Sequence, residues 1–153
     1  MSVRSIKSES RGRILVVEDE PRARAALRSL LSVKGFHAEV VATPFKALGM
    51  LSEYAPHVVI TDVRMPGMDG IRFLQEVRQR RPETAVIVMT GFASVPDAVR
   101  AVKLGAETYL EKPIDVSSLL SVVDRAVVKS RHVAEMRKLW TQEQRGNSFS
   151  RVL

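Results

Sequence analysis

Val58-Val59-Ile60-Thr61-Asp62-Val63-Arg64-Met65-Pro66-Gly67-Met68-Asp69-Gly70 is the stretch from which the fold can be read outward. Its β-branched apolar opening reads as a buried parallel strand, because strands covered on both faces lack the polar alternation of half-exposed ones. Pro66, Gly67 and Gly70 then punctuate a loop. Asp62 is thereby delivered to the C-terminal tip of a strand, where open α/β sheets gather ligands and chemistry. Such a carboxylate has three uses: accepting a phosphoryl group, ligating a metal or capping a helix.

Upstream, the apolar run 14–17 reads as a strand followed at once by Glu18-Asp19-Glu20-Pro21. Pro21 suits a first helical turn, where its missing N–H costs nothing. Ala25, Ala26, Leu30 and Leu31 supply an inward face, and Gly35 is the stop. A short strand falls at 38–41. Thr43-Pro44 then opens a helix as cap and first residue, with Ala47, Leu48 and Leu51 facing inward. Downstream, Ile71, Phe73, Leu74 and Val77 mark a helix that ends in the basic run 78–81. A strand at 85–89 leads to Thr90-Gly91, a helix spans 96–104 before Gly105, and a strand at 107–110 runs into Glu111-Lys112-Pro113. Asp115 caps the last helix. Strand and helix alternate five times with short connections. That pattern predicts an α/β fold with a doubly wound, five-stranded parallel sheet, helices on both faces and an extended C-terminal helix.

Composition narrows the possible chemistry. At 153 residues, 45% of them apolar, the chain forms one domain with short extensions and buries a real core. It has no cysteine, so disulfides, thiolate metal sites and cysteine nucleophiles are excluded. The longest apolar run, 85–89, is far too short for a membrane span, and residues 1–12 lack the apolar core of a secretory signal. A cytoplasmic protein is expected. The net charge of +7 sits at the ends: residues 1–12 hold three basic and one acidic side chain, residues 129–153 six and two, and the 116 between them fifteen and fourteen. The expected division is a flexible extension (1–12), a folded body (13–128) and a helical linker or tail (129–153). Basic ends can bind nucleic acid, but no aromatic or helix-turn-helix pattern accompanies them.

In a parallel sheet the strand tips share one edge, so Glu18, Asp19, Asp62, Thr90 and Lys112 can converge there. Carboxylates crowded together repel unless a cation sits among them. With no cysteine and no suitably placed histidine the ligands are oxygens, which favours a hard ion such as Mg2+. A lysine and a small hydroxyl across the site are what phosphoryl oxygens need, and Asp62 is placed for in-line attack on phosphorus. Each residue also has a plainer use. Glu18 or Asp19 can cap the first helix, Glu20 can be a favourable first-turn charge, Thr90 a turn hydroxyl and Lys112 a solvated lysine. His37, His57 and His132 form no ligand or triad spacing.

Val17-Glu18-Asp19-Glu20, Asp62 through Gly70, Met89-Thr90-Gly91 and Glu111-Lys112-Pro113 together resemble the receiver domain of two-component response regulators, over about residues 13–128. The wording around Met89-Thr90-Gly91-Phe92, Val95-Pro96 and Tyr109-Leu110-Glu111-Lys112-Pro113 is closest to the nitrogen-regulatory (sigma-54 activator) type. The resemblance implies a flavodoxin-like fold and a phosphoacceptor at Asp62. It implies an Mg2+ site made by Glu18, Asp19, Asp62 and the backbone carbonyl of Arg64, with Asp19 the more direct ligand of the acidic pair. It further implies a phosphohistidine donor on a sensor histidine kinase, a Thr90–Tyr109 switch pair and a repacking 95–128 face that exchanges partners. The Lys112–Pro113 bond is commonly cis in that family. Such a module is switched rather than catalytic, with self-catalysed phosphotransfer and autodephosphorylation but no metabolic substrate, and it serves to control transcription.

In nitrogen-regulatory-type regulators an ATPase module and a DNA-binding domain follow the receiver. The 25 residues after residue 128 hold neither, so the expectation is a fragment or a stand-alone receiver with a tail. After Asp115 no glycine or proline interrupts the chain until Gly146, and 146–153 reads as linker. Val122, Ala126, Val133, Met136 and Trp140 are spaced as a possible homodimer seam, with Lys129 intruding. An alternative chemistry, that of haloacid-dehalogenase-like phosphatases, needs a second aspartate two residues beyond the first. That position is Arg64, which argues against it.

Overall fold

The computed structural model describes residues 10–91 and 94–152, with residues 145–152 described by their backbone. Strands β1 (Arg13–Val17), β2 (His37–Val41), β3 (Val58–Asp62), β4 (Ala85–Thr90) and β5 (Thr108–Glu111) form one parallel sheet in the order β2-β1-β3-β4-β5. Helices α1 (Pro21–Val33), α2 (Pro44–Tyr54), α3 (Gly70–Arg80) and α4 (Val95–Lys103) connect them, and α5 (Val116–Val152) follows β5. This is the doubly wound arrangement that the strand–helix alternation predicts, and the flavodoxin-like one that the receiver resemblance implies.

Successive strand residues point to opposite faces, and both faces are covered. Ile14 and Val16 pack with Leu27 and Leu31 of α1 and Leu119 and Val123 of α5. Leu15 and Val17 pack with Leu51 of α2, Phe73 and Leu74 of α3 and Ala98 of α4. That is why the central strands are apolar without alternation. Each fully buried Leu or Phe in these layers contributes about 1.5–3 kcal/mol.

The α3 face is buried as its periodicity predicts, with Ile71, Phe73, Leu74 and Val77 inside. The α1 face differs: Leu27 and Leu31 are buried, whereas Ala25 and Ala26 are exposed. Alanines flank the true stripe there and carry little hydrophobic weight to orient the helix. Glu20 caps α1, accepting from the backbone N–H groups of Arg22 (3.1 Å) and Ala23 (2.7 Å). It is the cap itself rather than a first-turn charge, and so Glu18 and Asp19 are released from that duty.

At the other end, Asp115 accepts from the Ser118 backbone N–H and caps α5. The 37 residues of α5 span about 55 Å at 1.5 Å per residue. The helix runs through Gly146, where a linker is expected from sequence. One glycine costs a helix only about 1 kcal/mol. Of the predicted seam, Ala126 is buried and Val122 half-buried against the domain's own core. Only Met136 and Trp140 lie open, joined by Val128 and Leu139. Ser130, Lys129 and Arg137 tie the middle of the helix to the body through the Glu83 carbonyl, Glu107 and the Glu83 carboxylate. Ahead of β1, Arg11 is already part of the body. Its guanidinium pairs with Asp124 of α5 and lies 4.6 Å from the Phe36 ring centroid.

Candidate functional site

The strand order reverses direction between β1 and β3, which opens a crevice at their C-terminal ends. Val17 pairs with Thr61, so Glu18 and Asp62 leave neighbouring strands at the same level. Asp62 in turn sits beside Met89, one residue short of Thr90, and Thr90 beside Glu111, one short of Lys112. The register of the sheet thus brings the tip residues together. Asp69 caps α3 by accepting from the Ile71 N–H (3.0 Å), so Asp62 has no capping role and stays free for the crevice.

Glu18, Asp19 and Asp62 each present an oxygen within 4.8 Å of the others. The Lys112 ammonium donates to Asp62 Oδ2 at 2.6 Å and lies 3.7 Å from Glu18 Oε1. Burial and a hydrogen bond with Asp62 push the Glu18 carboxyl up to about 7, and the fields of Asp62 and Asp19 add to this while Lys112 opposes it. Burial works against the Lys112 charge, but its hydrogen bond and attraction to Asp62 outweigh that and hold its pKa above the usual lysine value. Lys112 donates its backbone N–H to the Thr90 carbonyl (2.8 Å), and the Lys112–Pro113 bond is cis.

The donor set fits a hard divalent cation. Glu18 is 2% exposed, and its Oε2 is buried with no hydrogen-bond partner among the described residues. An orphaned carboxylate oxygen facing two further carboxylates is a position a cation would satisfy.

The remaining predicted residues stand around this core. Thr90 is buried on the neighbouring tip, with its hydroxyl donating to the Gly91 carbonyl at 2.9 Å rather than reaching Asp62. Tyr109 is half-buried against the apolar layer of α2, α3 and α4. Arg64 lies two residues beyond Asp62, and its guanidinium donates to Asp97 of α4 at 3.0–3.2 Å. That tie between the loop after β3 and α4 joins residues 33 apart and has no sequence signature.

A doubly wound parallel sheet of this order, with three carboxylates and a lysine gathered at its switch point, places the chain among α/β proteins with a charged crevice at the strand tips. Residues 14–124 match the response regulator receiver domain family, and the chain belongs to it. It is 39% identical over 127 residues to the regulatory protein AtoC of Escherichia coli K12, covering 83% of this chain and 28% of that protein. It is 36% identical over 117 residues to the DNA-binding transcriptional regulator NtrC of Salmonella typhimurium, covering 76% and 25%. A receiver domain crystal structure from Clostridium thermocellum superposes with a TM-score of 0.76 at 30% identity, covering 79% of this chain and 98% of that one. The chain spans about a quarter of the length of AtoC and NtrC. The receiver is therefore homologous to those of sigma-54 activator response regulators.

Proposed function

We propose that this chain is a phosphorylation switch: Asp62 accepts a phosphoryl group from a phosphohistidine of a sensor histidine kinase, with Mg2+ held by Glu18, Asp19, Asp62 and the Arg64 carbonyl. The observation that carries the reading is the Lys112 ammonium 2.6 Å from Asp62 Oδ2, inside a crevice with two more carboxylates. One carboxylate oxygen of Asp62 attacks phosphorus as the P–N bond breaks; the imidazole nitrogen keeps the electron pair and takes a proton from water. The product is an acyl phosphate. Bound Mg2+ supplies neutralisation of the phosphoryl charge.

Lys112 holds Asp62 in place beforehand and takes a phosphoryl oxygen afterwards. The Thr90 hydroxyl exchanges its Gly91 carbonyl for another phosphoryl oxygen, and Tyr109 packs further inward. The 95–128 face then repacks and relays the change to the ATPase and DNA-binding modules of a longer transcriptional regulator. The exposed Met136, Leu139 and Trp140 are where a second copy would pair along α5. No metabolic substrate is turned over; water slowly removes the phosphoryl group.

Acetyl phosphate with Mg2+ is expected to add one phosphoryl group per chain, read by intact mass, and to shift the sedimentation of the same sample. A chain that instead releases phosphate steadily from small esters would belong to the phosphatase reading.

Cation binding should depend on pH through Glu18. Its folded carboxyl is raised from 4.5 to about 7, so over that interval the folded, cation-free site holds a proton that a cation must expel. Mg2+ affinity should therefore rise with pH up to about 7 and level off above, when measured by calorimetry. Glu18→Gln should flatten that slope and weaken binding about tenfold or more. An unchanged slope would remove Glu18 from the site.

A further inference from the structure

The end of the sheet opposite Asp62 holds a different cluster. A cavity of about 510 Å³ there is lined by residues at the starts of three strands and by α5, among them Arg13, His37, Tyr54, His57 and Arg131. A second, of about 340 Å³, shares Arg13, His57 and Arg131 and adds Arg81 and Lys138. The Arg13 Nε donates to the Tyr54 and Ala55 carbonyls at 3.2 and 2.9 Å. Among the described residues its two terminal nitrogens have no acceptor, and Arg131 and Lys138 have no ion-pair partner. Arg81, by contrast, is committed to Glu83.

His57 Nδ1 accepts the Arg13 backbone N–H at 3.0 Å, which leaves Nε2 as the ring's N–H donor. Burial and the fields of Arg13, Arg131 and Arg81 hold this histidine down to about 4, so it stays a neutral donor at neutral pH. Like charges crowded at a half-buried place call for an anion, as the carboxylates at the other end call for a cation. One wall is aromatic: the His37 and Tyr54 rings lie 5.5 Å apart between centroids, tilted by 40°. The exposed Glu53 lines the larger cavity, and the exposed Glu135 lines the smaller together with Glu83, which is paired with Arg81 and Arg137; these carboxylates favour a ligand of low total charge.

We propose that this edge is a second binding site, in which Arg13, Arg131 and the His57 Nε2–H hold the phosphate of a small phosphomonoester while its planar ring lies against the His37–Tyr54 wall. A nucleoside monophosphate has that chemistry, and the larger cavity falls within the range of small-molecule sites. Guanidinium pairs bind phosphate in a planar, two-pronged way that ammonium groups do not. The site is independent of Asp62. When filled it ties α5, through Arg131, to the strand starts.

The test is titration of the full chain with AMP, with adenosine and inorganic phosphate as separate probes, read by calorimetry and the imidazole NMR signals. AMP is expected to bind with a dissociation constant on the order of 1 mM or tighter and to shift His57 and His37. Adenosine and inorganic phosphate should each bind about tenfold more weakly. Arg131→Gln, a change on an exposed helical position, should cost about tenfold, and Arg72→Gln, exposed on α3, should cost nothing. AMP leaving both histidines unshifted, or binding equally well to the Arg131→Gln chain, would overturn the site. Equal affinity for AMP and inorganic phosphate would overturn the aromatic wall.

Discussion

Asp62→Asn is expected to abolish uptake of a phosphoryl group from acetyl phosphate, a loss of at least about a thousandfold in labelling rate. The substitution keeps the shape of the side chain and its place beside Lys112, so the loss isolates the nucleophile. No neighbour can replace it. Glu18 is 2% exposed, and its carboxyl, raised to about 7, is largely protonated and poorly nucleophilic below that pH. Asp19 belongs to the turn after β1 rather than to the β3 tip. Intact mass after a fixed exposure reads the outcome directly. Labelling of the Asn chain at the wild-type rate would remove Asp62 from its role.

Gly70→Ala should give the largest loss of stability among conservative changes near the site, about 2–4 kcal/mol. A Cβ at this position would collide with the Val63 carbonyl oxygen and lie 2.8 Å from its carbon and 2.9 Å from the Val63 Cα. These are backbone atoms and cannot swing aside. The Val63 N–H is itself held by the Met89 carbonyl at 2.9 Å, so relief would drag the residue next to Asp62 away from β4. Slower labelling should accompany the lowered urea midpoint. Gly49→Ala is the matched control: its Cβ would meet nothing within 4 Å on an exposed turn of α2. It should stabilise the chain by about 0.5–1 kcal/mol. Equal midpoints for the two variants would contradict the packing described for the α3 start.

Much of this arrangement is visible in the amino-acid order because the signals are local. Three β-branched runs mark the buried strands β1, β3 and β4, and the residues that end or follow them are ones the register gathers in the crevice. The periodic face of α3 is legible because Phe73, Leu74 and Val77 are large and unambiguous. The α1 face is not, since alanines carry too little hydrophobic weight to choose a side. Three acidic residues in a row likewise hide which one caps. The turn geometry after Val17 selects Glu20, and only then are Glu18 and Asp19 left for the site. Tertiary pairs are the least legible. Arg64 meets Asp97, and Arg13 meets His57 and Arg131, only through the winding of the sheet. The α5 spacing is ambiguous for a related reason: one helix serves the domain core along its first half and solvent along its second, and a single period describes both.

The central claim concerns one oxygen atom of one residue, and reductive trapping reads it most directly. Borohydride converts an acyl phosphate to the alcohol, so a chain treated with acetyl phosphate and Mg2+ and then reduced should carry homoserine at position 62 when its peptides are sequenced by mass spectrometry. Homoserine at position 62, absent without phosphodonor, is the predicted result. Phosphate found instead on a serine or threonine, or trapping at a different carboxylate, would contradict the account.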